Sequence, residues 1–142
     1  MRSYLADINF WVALILDSHS GHGKAGAFFD TLSRDQLWFC RFTQIGFLRM
    51  LTNRSVMGPQ ILTQQKAWLL YDRLCGDERI QYLAEPLMLE SRFRRLTQGR
   101  LPAHKAWSDA YLAAVAGEAG LALATFDGDF RHILDVETHL LS

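Results

Sequence analysis

Short apolar runs alternate along this chain with stretches of helical periodicity, and that alternation limits the fold more than any other feature. Tyr4-Leu5-Ala6, Gln36 to Phe42, Ile80 to Leu83 and Leu121 to Phe126 read as β-strands, and Val136 to Leu141 as a fifth strand at an edge. Helical spacing marks Phe10 to Leu16, Gly23 to Leu32, a segment opened by Thr43, Thr63 to Leu74, Leu87 to Leu96, and Ser108 to about Glu118. Asn9, Thr43 and Ser108 are the expected N-caps of their helices, and Gly120 is the C-terminal stop of the last. Strands separated by helices dictate βαβ units and parallel pairing. The strands are apolar almost throughout, as helices on both faces require. The expected fold is α/β, with three layers α/β/α around a central, mainly parallel sheet of four or five strands.

No linker, repeat or shift in composition divides the 142 residues, so a single domain over 1–142 is expected. With 49% hydrophobic residues and no net charge, the chain is neither disordered nor a generic polycation. Local segregation of charge stays open, and with it a nucleic-acid partner. Cys40 and Cys75 are too few for a disulfide framework or a Cys-rich zinc site. Asp7 and Asn9 interrupt the first apolar run, so it is no signal peptide, and no run approaches the roughly 18 apolar residues of a membrane span. A cytoplasmic protein without a membrane partner is the expectation.

The acids carry the chemistry. Asp7 and Asp127 each follow a strand. Parallel strands all point one way, so both carboxylates reach the same rim, where open α/β sheets bind ligands. Asp109 falls in the first turn of a helix that opens onto that rim. Taken singly, Asp109 complements a helix dipole, Asn9 caps a helix, and Asp127 is a turn acid. Taken together, clustered carboxylates repel and need a counter-charge, which a hard divalent cation supplies. Such a centre activates water and stabilises charge on a phosphoryl group.

These residues lie in segments that resemble the PIN-domain ribonucleases, in particular VapC-type toxins of toxin–antitoxin pairs. The segments are Tyr4-Leu-Ala-Asp-Ile-Asn9, Thr43-Gln-Ile-Gly-Phe-Leu-Arg-Met-Leu-Thr-Asn53, Trp107-Ser-Asp-Ala-Tyr-Leu-Ala-Ala114 and Ala124-Thr-Phe-Asp-Gly-Asp-Phe130. The resemblance implies a PIN-like fold and a metal-dependent endoribonuclease. Asp7, Asp109 and Asp127 would take the acidic positions around Mg²⁺ or Mn²⁺. Asn9 and Thr125 would support the site, and Asp129 would be an extra acid. Gln44 stands where the family usually has a Glu, which removes one charge. The resemblance further implies a structured RNA substrate such as tRNA or rRNA, products with 5′-phosphate and 3′-hydroxyl ends, a small VapB-type antitoxin and a toxin homodimer.

Arg92, Arg94, Arg95, Arg100 and Lys105 fall within fourteen residues free of acids, just before the helix of Asp109. Such a run is either a solvated helix face or an RNA-binding surface, and its position favours RNA. Arg41, Arg49 and Arg54 would widen that surface. His19 and His22 have H-x-x-H spacing without further zinc ligands, and a surface loop is the simpler reading. A haloacid-dehalogenase-type phosphatase needs a second Asp where Asn9 stands. No P-loop motif occurs, and a receiver domain lacks its acidic pair and its Lys. The remaining alternative is a PIN module that binds RNA or protein without cutting, a reading that Gln44 sustains.

Overall fold

The computed structural model describes residues 2–133 and 136–141. Five strands form its sheet: β1 (Tyr4–Ala6), β2 (Leu37–Cys40), β3 (Ile80–Leu83), β4 (Ala122–Thr125) and β5 (Thr138–Leu140). Between them run α1 (Ile8–Ile15), α2 (His22–Asp30), α3 (Arg41–Leu51), α4 (Arg54–Met57), α5 (Gln64–Cys75), α6 (Leu89–Leu96) and α7 (Ala106–Ala119). The strand order is β3-β2-β1-β4-β5, and every pairing is parallel. The fifth strand expected over Val136 to Leu141 is present at the edge in shorter form. Order reverses at β1: the chain steps to one side through β2 and β3, then returns to β1's other side as β4. Such a reversal opens a crevice at the carboxyl ends of the two central strands.

Alternation along each strand feeds two cores. Ala6, Leu37, Phe39 and Ala124 face α1, α2, α3 and α5, where Phe10, Trp11, Phe47, Leu51 and Tyr71 are buried. Leu5, Cys40 and Leu123 face the opposite way, against Leu112, Ala113 and Val115 of α7 and Leu89 of α6. The short fourth helix, not anticipated from periodicity, is capped by the Asn53 side chain, which accepts from Ser55 N–H at 2.9 Å.

Three expected caps differ from those observed. α1 is capped by Asp7, whose Oδ1 accepts from the Phe10 N–H at 2.9 Å, and Asn9 lies inside the helix. α3 begins at Arg41, so Thr43 is its third residue, and its hydroxyl accepts from the Cys40 N–H at 2.9 Å. α7 begins at Ala106 without a side-chain cap, which puts Ser108 in the first turn. In each case a competent polar residue lay close to the true boundary and drew the expected cap away from it. Gly120 does end α7, at φ 70°, a conformation that favours glycine.

The first core centres on Trp11 stacked on Phe39, with ring centroids 3.7 Å apart and both side chains fully buried. Phe39 also meets Phe47 and Tyr71, so it ties β2 to α1, α3 and α5. Phe39→Ala is expected to cost about 3–5 kcal/mol of unfolding free energy in urea denaturation, the range for a buried Phe truncated without collapse of the cavity. A loss below 1 kcal/mol would show that this contact does not organise the core.

Candidate metal centre

The site grows out of one backbone register. Ala6 pairs with Ala124, so the residues that follow, Asp7 and Thr125, lie side by side at the end of the sheet. The Asp7 N–H donates to the Ala124 carbonyl at 3.1 Å, fixing where its side chain emerges. The fully buried Thr125 hydroxyl donates to Asp7 Oδ2 and accepts from the Asp127 N–H at 2.9 Å. One hydroxyl therefore ties the first acid to the backbone of the second. Asp127 Oδ1 in turn accepts from the Asp129 N–H at 2.9 Å, closing the turn.

Asp109 enters from the first turn of α7. With Asp7 and Asp127 it lines a cavity of about 270 Å³, which Asn9 and Ser108 share and which Ile8, Leu112 and Phe130 wall with hydrocarbon. Gly46 on α3 leaves the space that the Ile8 side chain occupies. Asp129 lines an adjoining cleft of about 520 Å³ together with Asp109 and Lys105. Asp7, Asp109 and Asp127 therefore border one cavity, and Asp129 a neighbouring cleft that shares Asp109 with it.

Its electrostatics are unbalanced. Burial pushes the Asp7 carboxyl above its ordinary range; the Thr125 and Phe10 hydrogen bonds oppose this, and the charges of Asp127 and Asp109 add to it. Asp109 is raised too, by burial first and then by Asp127 and Asp129. Among the described residues no salt bridge joins any of these four acids to a cation. Nor, among the described residues, is there a group of three or more His, Cys, Asp or Glu side chains placed to hold a metal ion together. The donors are all oxygens on an open cleft, which fits a hard cation that keeps most of its water and takes one or two direct carboxylates.

Two contributors escaped the sequence reading. Ser108 borders the cavity instead of capping α7. His19 reaches Asn9: its Nδ1 accepts from the Gly21 N–H at 2.8 Å, so Nε2 carries the proton and donates to Asn9 Oδ1 at 2.9 Å. Asn9 thus has its oxygen engaged and its amino group left for the cavity. The H-x-x-H spacing was the only trace of this contact, and the two histidines part ways. His22 Nδ1 bonds the Ala13 carbonyl at 2.8 Å.

Gln44 does not border the cavity. It is buried, and its Oε1 accepts from Arg41 at 2.5 Å. The basic run also divides. Arg92 lies in a half-buried ion pair with Glu118 at 2.8 Å, packed against Gly117 at the far end of α7. Nine helical residues, about 13 Å, separate that pair from Asp109. Arg94 is exposed and pairs with Glu90 one turn back at 2.9 Å. Arg95, Arg100 and Lys105 are exposed at the end of α6 and in the loop that enters α7, the end nearer the acids. Arg41 stacks over the Tyr82 ring at 5.0 Å, while Arg49 and Arg54 are exposed.

Comparison with known proteins places the chain in a family. Residues 4–135 match the model of the PIN domain family. Ribonuclease VapC41 of Mycobacterium tuberculosis is 41% identical over 143 aligned residues, covering 97% of this chain and 98% of that protein. The fold is also that of VapC20, a toxin of Mycobacterium tuberculosis, with TM-score 0.67 at 17% identity over 95% of this chain and 99% of that one. A DNA-bound VapBC complex from Salmonella typhimurium aligns over 100% of both chains, with TM-score 0.71 at 13% identity.

The raised Asp7 pKa has a signed consequence. The folded state holds that proton more tightly than the unfolded state, whose carboxyl titrates near 3.8. The group's contribution to stability is therefore full below that value and is lost as pH rises through the folded pKa. In chelator at pH 7, Asp7→Asn is expected to melt at a higher temperature than the parent protein, with the gap narrowing as pH falls towards 4. A variant that melts at or below the parent at pH 7 would mean that the buried charge costs nothing.

Proposed function

The chain belongs to the PIN-domain family, and on that premise we propose that it is an endoribonuclease toxin that hydrolyses RNA phosphodiester bonds with a bound Mg²⁺ or Mn²⁺. One observation carries the reading: Asp7, Asp109 and Asp127 border a single cavity at the switch point of the sheet, without a cationic partner among the described residues. Asp7 and its two acidic neighbours would hold the ion. When bound, it would lower the pKa of a water and offset charge developing on phosphorus.

The remaining chemistry falls to the chain itself. Thr125 and the Phe10 N–H hold the Asp7 carboxylate in one orientation. Asn9, steadied by His19, and Ser108 offer donors to non-bridging phosphate oxygens. The hydrocarbon of Ile8, Leu112 and Phe130 keeps bulk water off one side, which strengthens every charge interaction in the cavity. Arg95, Arg100 and Lys105 neutralise flanking phosphates. The scissile bond breaks with water's oxygen joining phosphorus and the 3′-oxygen leaving as a hydroxyl.

A small VapB-type antitoxin would restrain the enzyme, in keeping with the complexes that share its fold. A homodimer draws support from Ile45 on α3 and Trp68 and Leu69 on α5, apolar side chains about half exposed. No helix among the described residues is long and apolar enough to cross a membrane. A scaffold that binds RNA without cutting drew its support from Gln44. That side chain accepts from Arg41 and does not line the cavity, which argues against its neutrality weakening the acids' hold on an ion.

Incubation with tRNA and rRNA in Mn²⁺ is expected to give fragments bearing 5′-phosphates. Chelator should stop the reaction, and Asp7→Asn should slow it at least ~100-fold, the scale for losing a charge-stabilising group in an active site. Thr125→Val should slow it about 10–100-fold by releasing a residue that orients a ligand. Cleavage that survives both chelator and Asp7→Asn would overturn the assignment.

A further inference from the structure

A second hollow lies beside the acids and has no part in holding a cation. The 97–105 loop and Trp107 enclose a cleft of about 430 Å³, walled by Thr97, Leu101, Pro102, His104 and Trp107. Leu101 is 82% exposed and Trp107 56% exposed, so its surface presents a large apolar area to water. Trp107 touches Phe93 edge-on, with centroids 6.0 Å apart at 66°, which leaves much of the indole open. The cleft shares Leu96, Pro102, Ala103, His104 and Ala106 with the larger cleft that reaches Lys105, Asp109 and Asp129. A single groove therefore runs from Trp107 to the acids. Lys105 lines the larger cleft, Arg100 is exposed between Gly99 and Leu101, which line the first, and the loop contains no acid.

We propose that this cleft receives one unpaired nucleobase of the RNA substrate, stacked on the Trp107 indole, while Arg100 and Lys105 meet the adjoining phosphates. The inference rests on the nuclease reading above. A planar aromatic wall with a cationic lip is the chemistry by which proteins hold single strands, since every base has a π-face and every linkage a charge. Trp107 and Asp109 are two residues apart on a helix, about 200° around its axis. The stacked base therefore belongs to a flanking nucleotide and not to the linkage that is cut. A paired base cannot leave its stack cheaply, so the cleft selects loops and free ends over duplex.

The test uses fluorescence anisotropy on the full chain carrying Asp7→Asn, to prevent cutting. The probes are a labelled RNA hairpin with a single-stranded loop and a blunt duplex of the same stem. Trp107→Ala should weaken hairpin binding about tenfold or more and leave duplex binding unchanged, as loss of one stacked base requires. Trp107→Phe should restore most of the difference, which also controls for folding. Lys105→Ala should weaken both probes alike and flatten the salt dependence. Hairpin affinity unchanged by Trp107→Ala overturns the proposal and leaves the cleft to a protein partner. If the parent protein fails to cut RNA in Mn²⁺ yet binds the hairpin through Trp107, the nuclease reading falls and this assignment stands. If it cuts without regard to Trp107, only this assignment falls.

Discussion

The parallel pairing of β1 with β4 is the constraint from which the site follows. Its register sets Asp7 beside Thr125, and the buried Thr125 hydroxyl then joins Asp7 to the backbone of Asp127. Neither strand could shift by one residue without turning Leu5 and Leu123 into the wrong core. Hydrophobic burial thus fixes the positions of two acids that are 120 residues apart in the sequence. The geometry of these acids needs no separate folding force, because it is carried on the pairing that the cores already demand.

The same position is costly to the free protein. Asp7 gives up water for a hydroxyl and one N–H while facing two other carboxylates. Its N-cap bond to Phe10 returns part of that cost to α1. A hard cation bound there would remove most of what remains, so the region that weakens the empty fold is the one that would give an ion its affinity. Burial and charge repulsion act here on one residue, so under the proposed function stability and activity would pull against each other at Asp7.

Most of the fold was legible because it depends on period. Apolar strands and helical spacing identified all five strands, and the order in which helices intervene required parallel pairing. Asp7 and Asp127 could be placed together because a parallel sheet sends every strand end to one rim, and Asp109 because it falls in the first turn of a helix. What escaped depends on side-chain direction, which period does not carry. Ser108 looked like a cap, yet Ala106 begins the helix and Ser108 turns to the cavity. Gln44 matched a family position, but its carboxamide oxygen is taken up by Arg41, 3 residues before it. Arg92 looked equivalent to Arg95 in a basic run. Glu118, distant in sequence, takes it out of that run.

Zero net charge gave no hint of the electrostatic asymmetry that results. At the amino-terminal edge of the sheet, acids and bases are matched: Arg2 with Glu137 at 3.2 Å, Arg34 with Glu78 at 2.7 Å and Arg79 with Asp77 at 2.7 Å. These residues precede β1, β2, β3 and β5, so they cluster where the strands begin. At the carboxyl-terminal edge Asp7, Asp109, Asp127 and Asp129 form no such pairs among the described residues. Arg95, Arg100 and Lys105, which form none of the ion pairs above, lie at the end of α6 and in the loop after it. Such an arrangement attracts a cation to the acids and a polyanion to their flank, two demands that a uniform surface of either sign could not meet. Cancellation over the whole chain and segregation within it are compatible because the sheet separates its two ends, and the chemistry is confined to the end left unbalanced.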